Sequence, residues 1–268
     1  MKNFKSNYPS RIICLTEESV ETLYLLGKED LIKGVSAFVK RPEAAQKLPK
    51  VSFFTSSNLK KIKDKDPDLI LGFSDIQKDI AKDLIGEGMN VYIANHRSID
   101  GILEYIAMLS RMVDAKEEGE QLIAKLLQKI SKAQEFAASL KKKPRVYFEE
   151  WDDPMISAIQ WVSELIELCG GEEINKDLSQ GSLAKERFVD PLTIIDKNPD
   201  LILGCWCGKK VKVDLIKNRD GFDQISAVKN DYVLELEPEI FLQPGPAPIL
   251  DGIDILIDLF SKWSKENS

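Results

Sequence analysis

The sequence repeats a short pattern at about half its length. The stretch KDKDPDLILGFSD at 63–75 returns as IDKNPDLILGCWC at 195–207, and the shared frame Pro-Asp-Leu-Ile-Leu-Gly recurs 132 positions later. The segments SRIICLTEE and PRVYFEEWD also match, and their arginines, Arg11 and Arg145, are 134 positions apart. Two matches at nearly the same offset predict a duplicated α/β unit.

Short β-rich runs alternate with helical patterns in both halves of the chain. The predicted strands lie at 11–15, 69–72, 91–94, 146–148, 201–204 and 233–236. Continuous apolar runs such as DLILG are typical of parallel strands that are covered on both faces. The predicted fold class is therefore α/β, with two doubly wound lobes and a ligand cleft between them.

A long amphipathic pattern separates the two halves. Residues 116–142 contain no proline and one early glycine, which predicts a single helix about 40 Å long at 1.5 Å per residue. The predicted organisation is an N-terminal α/β lobe at 1–115, a linking backbone helix at 116–142, and a C-terminal α/β lobe at 143–268.

The composition is that of a folded chain with an acidic surface. Of the 268 residues 43% are hydrophobic and 30% charged, and the net charge of −7 argues against nucleic acid or an anionic membrane as the main partner. No segment approaches about 20 apolar residues, and the N-terminus has no apolar run of signal-peptide length. The expected location is therefore cytoplasmic, or periplasmic or lipid-anchored if a leading segment has been removed.

Polar and aromatic side chains follow the predicted strands. In open parallel sheets the ligand crevice lies at the C-terminal ends of the strands. The segments found there are TEES (16–19), FSD (73–75), NHRS (95–98), EEWDD (149–153) and CWCGKK (205–210). Their carboxylates, arginine, imidazole and two tryptophans suit a large amphipathic ligand better than a simple ion.

The cluster EEWDD has two interpretations. Asp152 and Asp153 precede Pro154 and an apolar run, a pattern typical of a helix N-terminus with an acidic cap. A cap does not explain Trp151, whose large apolar surface next to water is costly unless something packs on it. We therefore interpret Trp151 as a ligand-stacking residue and Asp153 as the helix cap.

Signals for metal binding or covalent catalysis are weak. The motif at 205–210 places two thiols one residue apart, but a structural zinc needs about four ligands, and the chain has one histidine. We interpret Gly204 and Gly208 as the ends of a turn that presents Trp206. His96 lacks a nucleophile elbow or a phosphate loop to work with, so we interpret it as a polar contact. No metal and no cofactor are expected.

Together these segments resemble the helical-backbone class of ABC-transporter solute-binding proteins, which includes cobalamin, haem and ferric siderophore binders. The resemblance runs from PSRIICLTEESVETLYLLG through PDLILG and the linking helix to FLQPGPAPILDGI. It is strongest to the branch labelled cobalamin-binding protein. The resemblance implies two lobes that hold a bulky amphipathic metabolite, with a corrinoid as first choice and haem or a siderophore as alternatives.

The resemblance also assigns roles to single residues. The aromatic that stacks on the corrin ring in cobalamin binders falls at Phe54, where the family has tryptophan, and Trp151 and Trp206 take that role in the C-terminal lobe. The two glutamates that dock family members to arginines of the permease align with Lys60 and Leu192. Because a lysine facing an arginine is repulsive, the resemblance implies that the chain does not dock to a standard permease.

Three functions are compatible with these residues. The first is non-catalytic ligand binding, with stacking by the three aromatics and polar contacts from Glu17, Glu18, Arg97, Glu149 and Glu150. The second is an enzyme that uses Glu149 or Glu150 as general base, because two neighbouring carboxylates disfavour double ionisation. The third is a sensor that reports ligand occupancy to another protein.

Overall fold

The computed structural model describes residues 8–267, and this part of the chain contains ten strands. They are β1 (Ile12–Cys14), β2 (Ile32–Ser36), β3 (Lys50–Ser52), β4 (Leu69–Phe73), β5 (Val91–Ala94), β6 (Arg145–Asp152), β7 (Met155–Ser157), β8 (Glu172–Glu173), β9 (Leu201–Gly204) and β10 (Val233–Glu235). All six predicted strands are present, and five of them match to within one residue at each end. The other four are short and have no continuous apolar run, so the sequence pattern does not reveal them.

Eleven α-helices lie in the same part of the chain. They are α1 (Glu17–Leu25), α2 (Leu59–Lys63), α3 (Lys78–Gly86), α4 (Ile99–Met112), α5 (Lys116–Ser139), α6 (Gln160–Leu168), α7 (Pro191–Lys197), α8 (Val213–Lys217), α9 (Ser226–Lys229), α10 (Pro238–Phe241) and α11 (Ile253–Glu266). Short 3₁₀ turns lie at Glu29–Leu31, Glu43–Lys47, Asp75–Gln77, Lys176–Gln180, Ala184–Arg187 and Phe222–Gln224, and a π-helical turn at Pro248–Gly252. None of these helices is long and apolar enough to cross a membrane.

The chain divides into two compact α/β units, as the sequence predicts. The first comprises residues 8–96 and 100–125, and the second comprises 97–99 and 126–267. Apart from the short segment 97–99, the chain passes from one unit to the other inside α5, an unbroken helix of 24 residues that is about 36 Å long. This helix begins where the predicted linking helix begins and ends three residues earlier.

The first unit has a five-stranded sheet in the order β3-β2-β1-β4-β5, and every neighbouring pair is parallel. The order reverses between β1 and β4, which is where ligands bind in doubly wound sheets. The second unit has the order β10-β9-β6-β7, with β8 also paired to β6. There the pair β6 and β7 is antiparallel, and the others are parallel.

The sequence repeat corresponds to the same strand pairing in both units. Ile12 pairs with Leu69 in the first sheet, and Val146 pairs with Leu201 in the second. Val146 lies 134 positions after Ile12 and Leu201 lies 132 positions after Leu69, which are the two offsets of the repeat. The duplicated pattern therefore encodes the central parallel pair of each sheet.

The aspartate of the repeated Pro-Asp pair anchors the start of the neighbouring strand. Asp68 accepts the backbone N–H groups of Ser10 and Arg11 at 2.8 to 3.0 Å, and Asp200 accepts that of Arg145 at 2.9 Å. Partial burial opposes ionisation of Asp68, but the hydrogen bonds from Arg11 and Ser10 outweigh it and lower its pKa. Each carboxylate thus fixes the register of one central pair.

The glycine that ends the repeated frame is required by close packing. A Cβ atom at Gly72 would lie 2.6 Å from Gln77 Oε1, and one at Gly204 would lie 2.7 Å from Val211 Cγ1. Buried aliphatic side chains surround the strands, and in the first unit they form one cluster. It contains Ile13, Leu15, Val51, Ile62, Ile70, Ile80 and Leu84. The strand ends therefore rest on a tightly packed core.

Replacing Asp68 by alanine is expected to destabilise the protein by about 1–3 kcal/mol, because two backbone N–H groups at the strand start lose their acceptor. Asp200→Ala should act in the same direction. The free energy of unfolding in urea measures both effects. Asp64→Ala, at an exposed position four residues before Asp68, is the matched control. Equal stabilities of Asp68→Ala and Asp64→Ala would show that the carboxylate does not anchor the strand.

Candidate functional site

Three phenylalanines stay exposed where β2 and β3 of the first unit end. Phe38, Phe53 and Phe54 are 53%, 56% and 37% exposed. The rings of Phe38 and Phe53 have centroids 6.0 Å apart and meet edge to face. The carbonyl of Phe54 accepts a hydrogen bond from Gln77 Nε2 at 2.8 Å, and Gln77 Oε1 accepts one from the N–H of Phe73 at 3.0 Å. The first unit therefore presents a fixed aromatic surface at its strand ends.

The predicted site residues Glu17 and Glu18 begin α1 and have different environments. Glu17 is half-buried and accepts the backbone N–H of Lys40 at 2.6 Å. Glu18 is buried, and its carboxylate accepts a hydrogen bond from the Thr16 hydroxyl. Desolvation raises the pKa of Glu18 to about 7, because it outweighs the hydrogen bonds from Thr16 and from the backbone. No cation contributes to this balance.

His96 lies beside a pocket of about 230 Å³ next to β5 and α4. The pocket is lined by Tyr92, Asn95, His96, Gly101, Glu104, Tyr105 and Met108. The imidazole stacks on the Tyr105 ring with centroids 4.8 Å apart and meets the Phe73 ring edge-on at 5.3 Å. His96 is thus part of an aromatic cluster. Arg97, the next residue, is half-buried and belongs to the second unit.

The acidic cluster at 149–153 differs from its prediction. The predicted strand stops at Phe148, but β6 continues to Asp152 and pairs with β7 through an antiparallel turn at Asp153 and Pro154. The following helix begins at Gln160. Asp153 is therefore not a helix cap, because the apolar residues after Pro154 form a strand that pairs with β6.

Glu149 is fully buried and binds two partners from distant parts of the second unit. Its carboxylate accepts a hydrogen bond from Trp206 Nε1 at 3.0 Å and one from Arg219 Nη2 at 2.9 Å. The second guanidinium nitrogen, Nη1, contacts the other carboxylate oxygen. This bidentate ion pair stabilises the buried charge. Glu149 fixes the indole of Trp206 and is itself fixed by Arg219.

Glu150 has a separate arginine partner. Arg187 Nη1 and Nη2 donate to its two carboxylate oxygens at 2.6 and 3.0 Å. The guanidinium is itself buried and also donates to the Ser157 carbonyl at 2.5 Å. The predicted Glu-Glu pair therefore forms two ion pairs, and neither carboxylate is directed at the other.

Trp151 and Trp206 both lie beside the ammonium of Lys209. Lys209 Nζ is 3.9 Å from the centroid of the Trp151 ring and 4.9 Å from that of Trp206, within the range of cation–π attraction. It also forms an ion pair with Asp152. Partial burial opposes ionisation of Asp152, but the hydrogen bond from Lys209 outweighs it and lowers the pKa of Asp152.

The two indoles differ in exposure. Trp151 is half-buried, and its Nε1 donates to the Asp153 carbonyl at 3.0 Å. Trp206 is 1% exposed, so its indole packs beside Lys209 and presents no surface to solvent. Of the neighbouring cysteines, Cys205 is buried and Cys207 exposed. Among the described residues no three His, Cys, Asp or Glu side chains are grouped to hold a metal ion.

The residues aligned with the docking glutamates are both exposed. Lys60 lies on α2, and Leu192, which is 66% exposed, lies on α7. Sequence reasoning missed the cations of the second unit, Arg187, Arg219 and Lys209. One signal was available, since a buried Glu-Glu pair requires counter-charges, but the pattern does not show which arginines supply them.

The chain matches the protein-family model described as periplasmic binding protein over residues 12–240. An uncharacterised ABC transporter substrate-binding lipoprotein of Bacillus subtilis is 25% identical over 259 residues, which cover 93% of this chain and 79% of that protein. A vitamin B12-binding protein of Vibrio vulnificus is 27% identical over 257 residues, which cover 90% of this chain and 86% of that protein.

A solved structure confirms the fold. The periplasmic haem-binding protein of Roseiflexus sp. RS-1 in its apo form has a TM-score of 0.80 at 20% identity, over 97% of this chain and 99% of that chain. These matches contradict the cytoplasmic location predicted from the sequence, because the family model describes periplasmic proteins and the Bacillus relative is a lipoprotein.

Replacing Glu149 by glutamine should cost about 3 kcal/mol of unfolding free energy, because Arg219 loses its partner in a buried site. The amide oxygen still accepts from Trp206, so the change isolates the ion pair. Urea unfolding measures the cost, and Glu172→Gln, at an exposed position on β8, is the control. A loss no larger than that of the control would contradict a stabilising role of the pair.

Glu18→Gln should stabilise the protein at high pH and have little effect at low pH. Between about pH 4.5 and 7 the unfolded chain has released this proton while the folded chain retains it. Stability therefore falls as pH rises through that window, by on the order of 3 kcal/mol. Urea midpoints at pH 4.5 and pH 8 measure the effect, with Glu29→Gln at an exposed position as control. A difference from the unsubstituted protein that does not change with pH would exclude this titration.

Proposed function

Because the chain belongs to the periplasmic binding protein family, we propose that it binds a bulky amphipathic metabolite without chemical conversion. It is a solute-binding protein of the type that includes vitamin B12-binding and haem-binding proteins. A corrinoid is the ligand we propose first, and haem and a ferric siderophore are the alternatives. The same binding assay tests all three.

The observation that carries this proposal is the exposed aromatic surface at the strand ends. Phe38, Phe53 and Phe54 are large apolar side chains left in water beside polar residues, an arrangement typical of a ligand-binding surface. Trp151 adds a half-buried indole at the corresponding edge of the second sheet. Stacking on a planar ligand would remove this apolar area from water.

The predicted site residues divide into two groups by exposure. We propose that Glu17, Phe54, Arg97 and Trp151 contact the ligand. The remaining four, Glu18, Glu149, Glu150 and Trp206, are buried or bound within ion pairs and support the contacting residues. For example, Trp206, which Glu149 fixes through its N–H, lies beside the same Lys209 ammonium as Trp151. Supporting residues of this kind keep a binding surface in one geometry.

The contacts of Glu149 and Glu150 argue against an enzyme that uses either as a general base. A base needs a free lone pair within hydrogen-bond reach of the substrate proton. Both carboxylates already accept two hydrogen bonds from a guanidinium group. We also propose that the protein does not dock through the glutamate pairing of the standard transporters, since Lys60 and Leu192 occupy those positions.

The proposal is tested by mixing the purified protein with three classes of compound, one at a time: the corrinoids cobalamin and cobinamide, ferric haem, and a ferric hydroxamate siderophore. Absorbance spectra and quenching of tryptophan fluorescence should show saturable binding of at least one of them, and the bound compound should be recovered unchanged. Recovery of an altered compound would favour the enzyme. Absence of saturable binding of all three would contradict the proposal.

Trp151→Ala should weaken binding of the preferred compound at least tenfold. Aromatic stacking contributes about 0.5–1.5 kcal/mol beyond the buried area, and about 1.4 kcal/mol is one decade in affinity. Stability should change little, because the indole is half-buried. Asp153→Ala is the matched control, since the carbonyl that accepts from Trp151 belongs to its backbone. A variant that unfolds yet keeps its affinity would show that the tryptophan is a core residue.

A further inference from the structure

The ammonium of Lys209 is fixed at the edge of the second sheet by groups that surround it on three sides. Two are the rings of Trp151 and Trp206, and the third is the carboxylate of Asp152. The rings are themselves held, one by the Asp153 carbonyl and the other by Glu149. Lys209 is nevertheless 39% exposed. These three contacts thus position an ammonium whose side chain is partly open to solvent.

This ammonium retains hydrogen-bonding capacity. A lysine has three N–H donors, and Asp152 takes one of them. The loop from Cys205 to Val213 contains three lysines and no acidic residue. Of the acids nearby, Glu149 and Glu150 are each neutralised by an arginine, and Glu235 accepts the N–H of Val211. Lys209 therefore has donors beyond the one that Asp152 takes, and these neighbouring acids are bound to other groups.

The first unit, considered by itself, shows the same combination of aromatic rings and cations. Residues 38–63 contain seven lysines and arginines and one acidic residue, in a chain whose net charge is −7. The exposed rings of Phe38, Phe53 and Phe54 belong to this segment. The segment that carries the aromatic surface is thus rich in basic residues although the chain as a whole is acidic, and two of them, Arg41 and Lys63, are paired with Glu21 and Glu87.

We propose that Lys209 is a specificity-determining residue whose ammonium binds a carboxylate or phosphate at the edge of the ligand. This inference rests on the proposed function and adds the ligand's charge to it. An ammonium held next to an indole favours a ligand in which a flat apolar face adjoins an anionic group. A ligand with a cationic edge would have to displace Lys209 from the rings.

The test compares two probes that share one ring system. Ferric protoporphyrin IX carries two carboxylates, and its dimethyl ester carries none. Affinities of both are measured by absorbance and tryptophan quenching for the unsubstituted protein, Lys209→Gln, Lys209→Arg and Lys210→Gln. Lys210 is the matched control, because it is the adjacent exposed lysine.

The diacid should bind the unsubstituted protein about fivefold to tenfold more tightly than the ester, the range expected for a partly exposed charge-assisted hydrogen bond. Lys209→Gln should reduce this ratio at least threefold, whereas Lys209→Arg and Lys210→Gln should preserve it. Equal affinity for diacid and ester, a preference for the ester, or an unchanged ratio in Lys209→Gln would overturn the inference and leave the proposed function standing. Failure of these probes, of cobalamin and cobinamide, and of the ferric siderophore to bind would overturn both.

Discussion

The geometry of both sheets depends on an aspartate carboxylate that binds the first backbone N–H groups of a central strand. Asp68 does this for β1 and Asp200 for β6. Parallel strands have no hairpin to set their register, so these hydrogen bonds add to the hydrophobic pattern in aligning each strand with its neighbour. Once the starts are aligned, the C-terminal ends of both strands reach the same edge. The residues that follow them are brought together there.

The repeat predicts this framework well because its elements are local. A Pro-Asp pair followed by a continuous apolar run is visible in the sequence, and the pairing of Ile12 with Leu69 recurs as that of Val146 with Leu201. The sequence does not predict β7, because its apolar residues run on into those of α6 and show no separate strand pattern. The predicted end of β6 lies four residues too early, because the residues 149–152 are mostly acidic. An antiparallel partner, and not its own composition, keeps that segment extended.

The site shows a sharper limit, since the same repeated Glu-Glu pair has different chemistry in the two units. Glu18 is buried with a hydroxyl as its hydrogen-bonding side chain, and its pKa rises to about 7. Glu149 is buried with a guanidinium that comes from 70 residues away along the chain. Electrostatic balance in a core is decided by such long-range partners. The sequence pattern indicates which acids lie near the strand ends but not which of them remain available to a ligand.

The ion pairs of the second unit explain why its aromatic residues hold one geometry. Trp206 is buried, its N–H is bound by Glu149, and Arg219 in turn fixes Glu149. The indole therefore gives Lys209 a rigid surface to pack against. Lys209 follows Gly208, whose φ of 76° favours glycine. Lys209 is exposed, whereas Glu149 and Trp206 are buried. The buried ion pair thus acts on the surface of the second unit indirectly, by limiting where one exposed charge can lie.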